Sequence, residues 1–187
     1  ALGSLKGRAK REATVLLAET YQEIAEWRVS LELLGELALD SDIDSDLCEM
    51  VEILISDARR SLQLTGEGDL RVIAHRLIQA SSTMKHPGAR ARAVLSAARL
   101  ADHIRVPSVY TALADALGAF NFEGLNPRED GMVRLARAMS ADYACSPDRS
   151  WAAVNEVREF LETHHTMDST LALAFSGLGN IALALGR

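Results

Sequence analysis

The sequence predicts an all-α protein, and three observations support that fold class. Hydrophobic residues make up 48% of the 187 residues, charged residues 25% and aromatic residues only 5%. This is a globular composition, and the dominance of Ala and Leu favours helices. No alternation of apolar and polar residues, the pattern of a half-buried strand, is sustained over about five residues. Start and stop signals instead divide the chain into about nine helices.

Caps, glycines and prolines set the expected helix boundaries in the first half of the chain. These helices run from near Ser4 to Ile24, from Glu26 to Leu39, from the caps around Asp44 and Ser45 to before Gly66, and from Gly68-Asp69 to before His86-Pro87. The last boundary follows because the residue before a proline is pushed out of the helical region. The third helix carries one apolar stripe at helical spacing, formed by Leu47, Met50, Val51, Leu54, Ile55, Ala58 and Leu62.

Prolines mark most helix starts in the second half. The clearest is Asn126-Pro127-Arg128-Glu129, which combines an N-cap Asn, a Pro at the first helical position and a Glu at the third. The expected helices run from Ala89 to Ile104, from Pro107 to about Ala119, from Asn126 to about Ala144, from Ser146-Pro147 past Leu161, and onwards from the cap Asp168. The eighth carries Trp151, Val154, Val157 and Leu161 on one side.

The helix starts recur in pairs with a period of about 40 residues. A two-helix unit cannot bury its apolar stripe alone, so successive pairs are expected to stack around one continuous core. The sequence therefore predicts a right-handed α-solenoid of about four and a half helix hairpins, forming a single domain over residues 1–187 that is a segment of a longer protein.

Two stretches resemble the tetratricopeptide repeat (TPR) family. Leu178, Gly179 and Ala182 in the last helix match the family's large-Gly-small seam, and the segment from Ala13 to Leu39 carries a second match at Leu17, Ala18, Tyr21, Trp27, Ser30 and Leu34. The middle departs from the family, because residues 46–66 lack the small-residue pair and the turn over residues 120–124 is long. The resemblance implies a concave face that binds peptides or proteins, with no chemistry of its own, and a close helix approach at Gly179.

Net charge, cysteine usage and the length of the apolar runs restrict the classes of partner and the cellular setting that are expected. The formal net charge of −6 argues against nucleic acid, and it favours a basic partner segment. Four arginines (Arg90, Arg92, Arg99 and Arg105) concentrate in one segment, but they do not share one helix face and are interpreted as a solvated surface. Cys48 and Cys145 are far apart, which favours a reducing, cytoplasmic setting. The apolar runs are short and interrupted by charge, so no membrane partner is expected.

No pattern of metal ligands or catalytic residues emerges. Asp40, Asp42, Asp44 and Asp46 alternate like calcium ligands, but the Gly and the bidentate Glu of such a loop are missing, so we expect them to cap the third helix. His164 and His165 diverge on a helix and are expected to act at its C-terminus. There is no nucleophile motif and no phosphate loop. The sequence predicts neither an enzyme nor a bound cofactor or metal.

The function predicted is therefore a protein–protein interaction module, such as the sensor or scaffold segment of a larger bacterial regulator. Most large aromatics are expected in the core, but Phe120 and Phe122 flank a loop and are candidate partner anchors. Ile181 and Leu185 are further candidates, because the ninth helix carries more apolar residues than one face can hide. Two alternatives remain. The first is self-association through the C-terminal end. The second is an all-α enzyme or small-ligand receptor with a polar site on the inner, concave side of the solenoid.

Overall fold

The computed structural model describes residues 6–64, 67–142, 147–166 and 169–186. Within these residues the chain forms nine helices and no strand, which confirms the all-α prediction. The helices are α1 (Gly7–Glu23), α2 (Trp27–Ala38), α3 (Ser45–Ser61), α4 (Glu67–Thr83), α5 (Pro87–Ile104), α6 (Pro107–Gly118), α7 (Pro127–Asp142), α8 (Pro147–Thr163) and α9 (Ser169–Ala184). The expected boundaries at Gly66, Ala144, Ser146 and Asp168 lie outside the described residues.

The chain divides into two compact units, Ala1–Leu70 and Arg71–Arg187, with the division inside α4. In the first unit α1 packs on α2 and α3, and α2 packs on α3. The core of this unit is formed by Val15, Ala18, Leu34, Leu37, Val51 and Leu54. The predicted stripe of α3 supplies two of these residues, and Ile53, outside that stripe, is also buried. The expectation of one domain over residues 1–187 stays a prediction.

A buried amide joins the three helices of the first unit. The Gln22 side chain on α1 donates to the Ser30 hydroxyl on α2 at 3.0 Å and to the Leu54 carbonyl oxygen on α3 at 2.8 Å. Gln22 is 8% exposed and Ser30 is fully buried. Because a buried polar group must find partners, this pair of bonds fixes the relative positions of the three helices.

The second unit is organised around α7, which packs on α5, α6, α8 and α9. In addition, α5 packs on α6 and α8 packs on α9. Burial extends around most of α5, and Arg90, Arg92 and Arg99 on this helix are only partly exposed. The interpretation of these arginines as a solvated surface is therefore wrong, and only Arg105 is exposed. Their long aliphatic stems allow partial burial, and the Arg90 guanidinium donates to the Glu123 carbonyl oxygen at 3.5 Å.

The close helix approach lies at Gly131 and not at Gly179. A Cβ at Gly131 on α7 would overlap the fully buried side chain of Leu161 on α8. Gly179 is exposed, with nothing within 4 Å of the place where its Cβ would be. The expectation that Gly179 mediates tight packing is wrong, because it faces away from the seam that α9 forms with α8.

Helix ends explain why the elements form where they do. The predicted capping box at α7 is confirmed: the Asn126 side chain accepts from the Glu129 backbone N–H, and the Glu129 carboxylate accepts from the Asn126 N–H, both at 3.0 Å. At α5 the ring nitrogen Nδ1 of His86 accepts from the Ala89 N–H at 3.3 Å. This unusual cap starts α5 at Pro87, two residues before the predicted start at Ala89.

Candidate partner-binding surfaces

An open groove of about 260 Å³ runs between α7 and α8 in the second unit. Its walls and floor are formed by Arg134, Arg137, Ala138, Ala141, Ala153, Glu156 and Val157. The alanines and Val157 make the floor shallow and apolar, while the three charged side chains edge it. We call this surface the α7–α8 groove.

Arg137 is an exposed arginine that its neighbours hold in place. Its guanidinium carbon lies 4.6 Å from the centre of the Phe122 ring, and its Nη2 donates to the Leu117 carbonyl oxygen at 2.8 Å. Stacking on an aromatic face and one hydrogen bond fix the plane of the guanidinium. Among the residues that the structure describes, no carboxylate forms an ion pair with Arg137. It therefore presents an oriented positive charge along the groove.

Arg134, one turn earlier on α7, is held similarly but is neutralised. Its guanidinium carbon lies 4.4 Å from the centre of the Phe160 ring. It also donates to both carboxylate oxygens of Asp130, at 2.8 and 3.4 Å. A bidentate pair of this kind satisfies the charge of the guanidinium. Arg134 shapes the groove, but less of its charge is available to a ligand than that of Arg137.

A second open groove, of about 390 Å³, lies in the first unit. It is lined by Arg28, Leu31, Glu32, Leu62 and Leu64, and Leu64 is 63% exposed. Leu64 follows a left-handed residue, Gln63, whose φ is 55°. This groove has apolar walls, but it has no aromatic ring that would orient its arginine.

The predicted anchors Phe120 and Phe122 are adjacent and partly buried. Their rings meet edge to face with centroids 5.5 Å apart and planes at 72°. The Asn121 side chain accepts from the Glu123 N–H at 2.8 Å and holds this turn. One face of Phe122 is covered by Arg137, so the ring positions that arginine. Arg134 and Arg137 were not among the site residues predicted from the sequence, although their spacing of three residues places both on one side of a helix.

Helix α9 exposes residues other than the two candidates. Ile181 is 9% exposed and faces the interior, while Leu185 is partly buried. The large apolar side chains that α9 does expose are Phe175, at 48%, and Leu183, at 79%. The expectation that Ile181 belongs to the exposed surface is therefore wrong. The reason is helix phase: Ile181 continues the buried line of Ala174 and Leu178, and Phe175 and Leu183 lie on the other side.

The acidic row before α3 pairs with arginines of α1. Asp44 occupies the N-cap position but its side chain makes no capping hydrogen bond, so the expected capping role is wrong there. Asp40 instead accepts from Nε and Nη2 of Arg11, at 2.7 and 3.2 Å, and from the Asp42 N–H at 3.0 Å. The Asp42 and Asp44 carboxylates lie 3.8 and 3.5 Å from Arg11 and Arg8. The side chain of Asp46 lies outside the described residues.

These contacts shift the titration of the Arg11–Asp40 pair. The hydrogen bonds from the Arg11 guanidinium, and then that from the Asp42 N–H, hold the pKa of Asp40 below its ordinary value. The same carboxylate raises the pKa of Arg11. Neither residue lines either of the two grooves described above, and the ion pair stabilises the ionised carboxylate in the first unit.

Of the two histidines at the end of α8, His164 contacts the last turn of the helix. The Nδ1 of His164 lies 2.8 Å from the Phe160 carbonyl oxygen, where an N–H would satisfy that acceptor. Its ring packs against Phe160 with centroids 4.3 Å apart. Among the described side chains, no three His, Cys, Asp or Glu residues converge as metal ligands.

No family model matches the chain, and no curated protein or solved structure is significantly similar to it. None of the helices in the described residues is both long and apolar enough to cross a membrane. The function is therefore inferred from the geometry of these surfaces.

Proposed function

We propose that the chain is a protein–protein interaction module, built as a TPR-like right-handed α-solenoid. The order of helix neighbours supports this architecture. In the first unit α1 packs on the two helices that follow it, and in the second unit α5 and α7 each do the same. Stacked helix hairpins produce this neighbour pattern. We place the module in the cytoplasm, as a sensor or scaffold segment of a larger bacterial regulator.

The observation that carries the proposal is the oriented Arg137 at the edge of the α7–α8 groove. Pre-organised side chains bind tightly because little conformational entropy remains to be lost. Phe122 and the Leu117 carbonyl oxygen hold the guanidinium before any ligand arrives. An exposed arginine with no ligand to bind would gain little from being held in this way.

The groove fits a segment of a partner protein better than a small molecule. It is open along the surface, and its volume of about 260 Å³ lies near the lower end of the usual range of small-molecule pockets, roughly 300–1,000 Å³. A few side chains of a peptide fill such a groove, while the rest of the peptide lies along the surface. The alanine floor suits a small apolar side chain.

The charge of Arg137 selects the chemistry of that segment. Since Arg137 forms no ion pair with a described carboxylate, we propose that it binds an Asp or Glu side chain of the partner. A guanidinium and a carboxylate form two parallel hydrogen bonds, which gives direction as well as attraction. This choice reverses the expectation of a basic partner, because we propose that the oriented guanidinium of Arg137, and not the net charge of the chain, meets the ligand.

Selection from a random peptide library displayed on phage tests this function. The wild-type protein should retain peptides enriched in Asp and Glu, and Arg137→Gln should lose that enrichment. Arg149→Gln, an exposed arginine of α8 outside the groove, is the matched control and should keep it. Phe122→Leu, which keeps the charge but removes the ring, should weaken the enrichment. Selection without acidic enrichment, or enrichment that survives in Arg137→Gln, would contradict the proposal.

A further inference from the structure

The α7–α8 groove carries a second charge, that of Glu156 on α8, which is exposed and lines the groove. Within the described part of the chain, no hydrogen bond or ion pair is made by its carboxylate. Arg158, two residues away, instead pairs with Glu162 at 2.8 Å and with Glu159 at 3.5 Å. The residues three and four positions from Glu156 on α8 are Ala, Ala, Glu and Phe, so its own helix supplies no cation to it.

Arg137 lies on the opposite wall of the groove, at about the level of Glu156. Consecutive helices that pack on each other after a short connection run antiparallel, as α7 and α8 do. Their register is given by Gly131, which meets Leu161. Six residues onwards along α7 is Arg137, and five residues back along α8 is Glu156. The two charges therefore face the groove from its two sides.

The two charges do not neutralise each other. The guanidinium of Arg137 stacks on Phe122 and donates to the Leu117 carbonyl oxygen, and both partners lie on the α6 side of α7, away from α8. Among the described residues no ion pair joins Arg137 and Glu156. The groove consequently has one positive edge and one negative edge, and its apolar floor separates them.

A ligand that is complementary to this groove carries both charges. We propose that the bound segment pairs a carboxylate with Arg137 and the side chain of a Lys or Arg with Glu156. Glu156 also repels a purely acidic segment, which adds discrimination between partners. This inference rests on the proposed function, and it narrows the partner from an acidic peptide to one with charges of both signs.

The arrangement also predicts the order of residues in the bound segment. Alternate side chains of an extended chain point to the same side. The acidic, small and basic residues therefore occupy positions i, i+2 and i+4, with the small residue over the alanine floor. A sequence pattern of this kind can be recognised directly in selected peptides.

Selection from the phage-displayed peptide library tests both edges of the groove. Peptides retained by the wild type should carry a Lys or Arg at one constant offset from the acidic residue. Glu156→Gln should lose this basic enrichment, and Asp102→Asn, at an exposed aspartate of α5 outside the groove, is the matched control and should keep it. Acidic enrichment alone in the wild type, or basic enrichment that survives in Glu156→Gln, overturns this inference while the acidic-peptide function stands. A selection without acidic enrichment overturns both.

A charge swap tests the contact itself by calorimetric titration. Glu156→Lys should weaken the binding of a selected peptide about fivefold, and replacing the basic residue of the peptide by Glu should restore it. Asp102→Lys makes the same change in net charge at a distance from the groove and should have little effect on either peptide. A loss that Asp102→Lys reproduces, or a swapped peptide that fails to recover binding, would show that Glu156 does not contact the partner.

Discussion

At the residue scale, single buried contacts decide how the helices of each unit fit together. Each unit contains one of the two tryptophans, Trp27 in the first and Trp151 in the second. Replacing one of them by Phe leaves a fluorescence probe of the other unit. The stability predictions below can therefore be measured one unit at a time by urea unfolding.

Gln22→Ala should destabilise the first unit. The substitution removes both hydrogen bonds of the amide and leaves the buried Leu54 carbonyl oxygen and Ser30 hydroxyl without that donor. We expect a loss of about 1–3 kcal/mol in the free energy of unfolding reported by Trp27. Glu36→Ala, at an exposed glutamate of α2 in the same unit, should change it little. Equal stability of Gln22→Ala and wild type would show that the amide does not join the helices.

Gly131→Ala should destabilise the second unit. The added methyl overlaps Leu161, which is fully buried and cannot move without disturbing its own neighbours. The expected cost is about 1–3 kcal/mol, measured through Trp151. Gly35→Ala, on α2 with open space around it, should instead stabilise the first unit by about 0.5–1 kcal/mol through helix propensity. Two changes of the same sign would contradict this account of the glycines.

Acid should weaken the first unit through Asp40. Its pKa is lowered in the folded protein, so its stabilising effect is complete above the ordinary carboxyl pKa and is lost as pH falls through the lowered value. Urea midpoints of the wild type should fall between about pH 5 and pH 2 more steeply than those of Asp40→Asn. Parallel pH profiles for the two proteins would indicate that Arg11 does not stabilise the ionised carboxylate.

At the element scale, three helices end in the same motif without the glycine that usually forms it. After α1, Ala25 has a φ of 62° and its N–H donates to Gln22, while the Glu26 N–H donates to Tyr21. Gln63 after α3 and His165 after α8 repeat this double hydrogen bond, with φ of 55° and 54°. Left-handed backbone at a residue with a Cβ is strained.

Ala25→Gly should therefore stabilise the first unit, although glycine normally destabilises helical regions. We expect a gain of about 1 kcal/mol from relief of the left-handed conformation. Ala114→Gly, at an exposed position inside α6, should cost the second unit about 1 kcal/mol. Urea unfolding followed by the tryptophan of each unit measures both. Destabilisation by Ala25→Gly would mean that the left-handed turn is not the native end of α1.

The helix starts could be predicted from sequence because each start signal consists of residues that are close together in the chain. Asn126 and Glu129 form a capping box within four consecutive residues, and Pro107 and Pro127 each open a helix. The predicted end of α1 at Ile24 agrees with the structure, in which Ile24 is the C-cap residue. Its turn through Ala25 was not foreseen, since the expected signal is Gly.

The surfaces were harder to predict because they depend on helix rotation. Gly131 and Gly179 look equivalent in sequence, yet only Gly131 faces a neighbouring helix. Ile181 and Leu183 are two residues apart, and one is buried while the other is exposed. Arg137 acquires its significance from Phe122, fifteen residues earlier and outside its helix, and no local pattern connects the two.

At the scale of the whole molecule, the proposed function depends on one groove of the second unit, which lies between α7 and α8. The net charge of −6 describes the surface as a whole, but we propose that one oriented arginine, Arg137, determines what the α7–α8 groove attracts. Binding can therefore be tested by removing one charge from each partner, the guanidinium of Arg137 from the protein and one carboxylate from the peptide.

A double-mutant cycle on peptide binding tests that central claim most directly. Calorimetric titration of the best acidic peptide from the library would be compared with its amide version, in which the critical Asp or Glu becomes Asn or Gln. Arg137→Gln should weaken binding of the acidic peptide by about tenfold or more, and it should have little effect on the amide version. An equal loss for both peptides, or no loss for either, would show that Arg137 does not bind the partner's carboxylate.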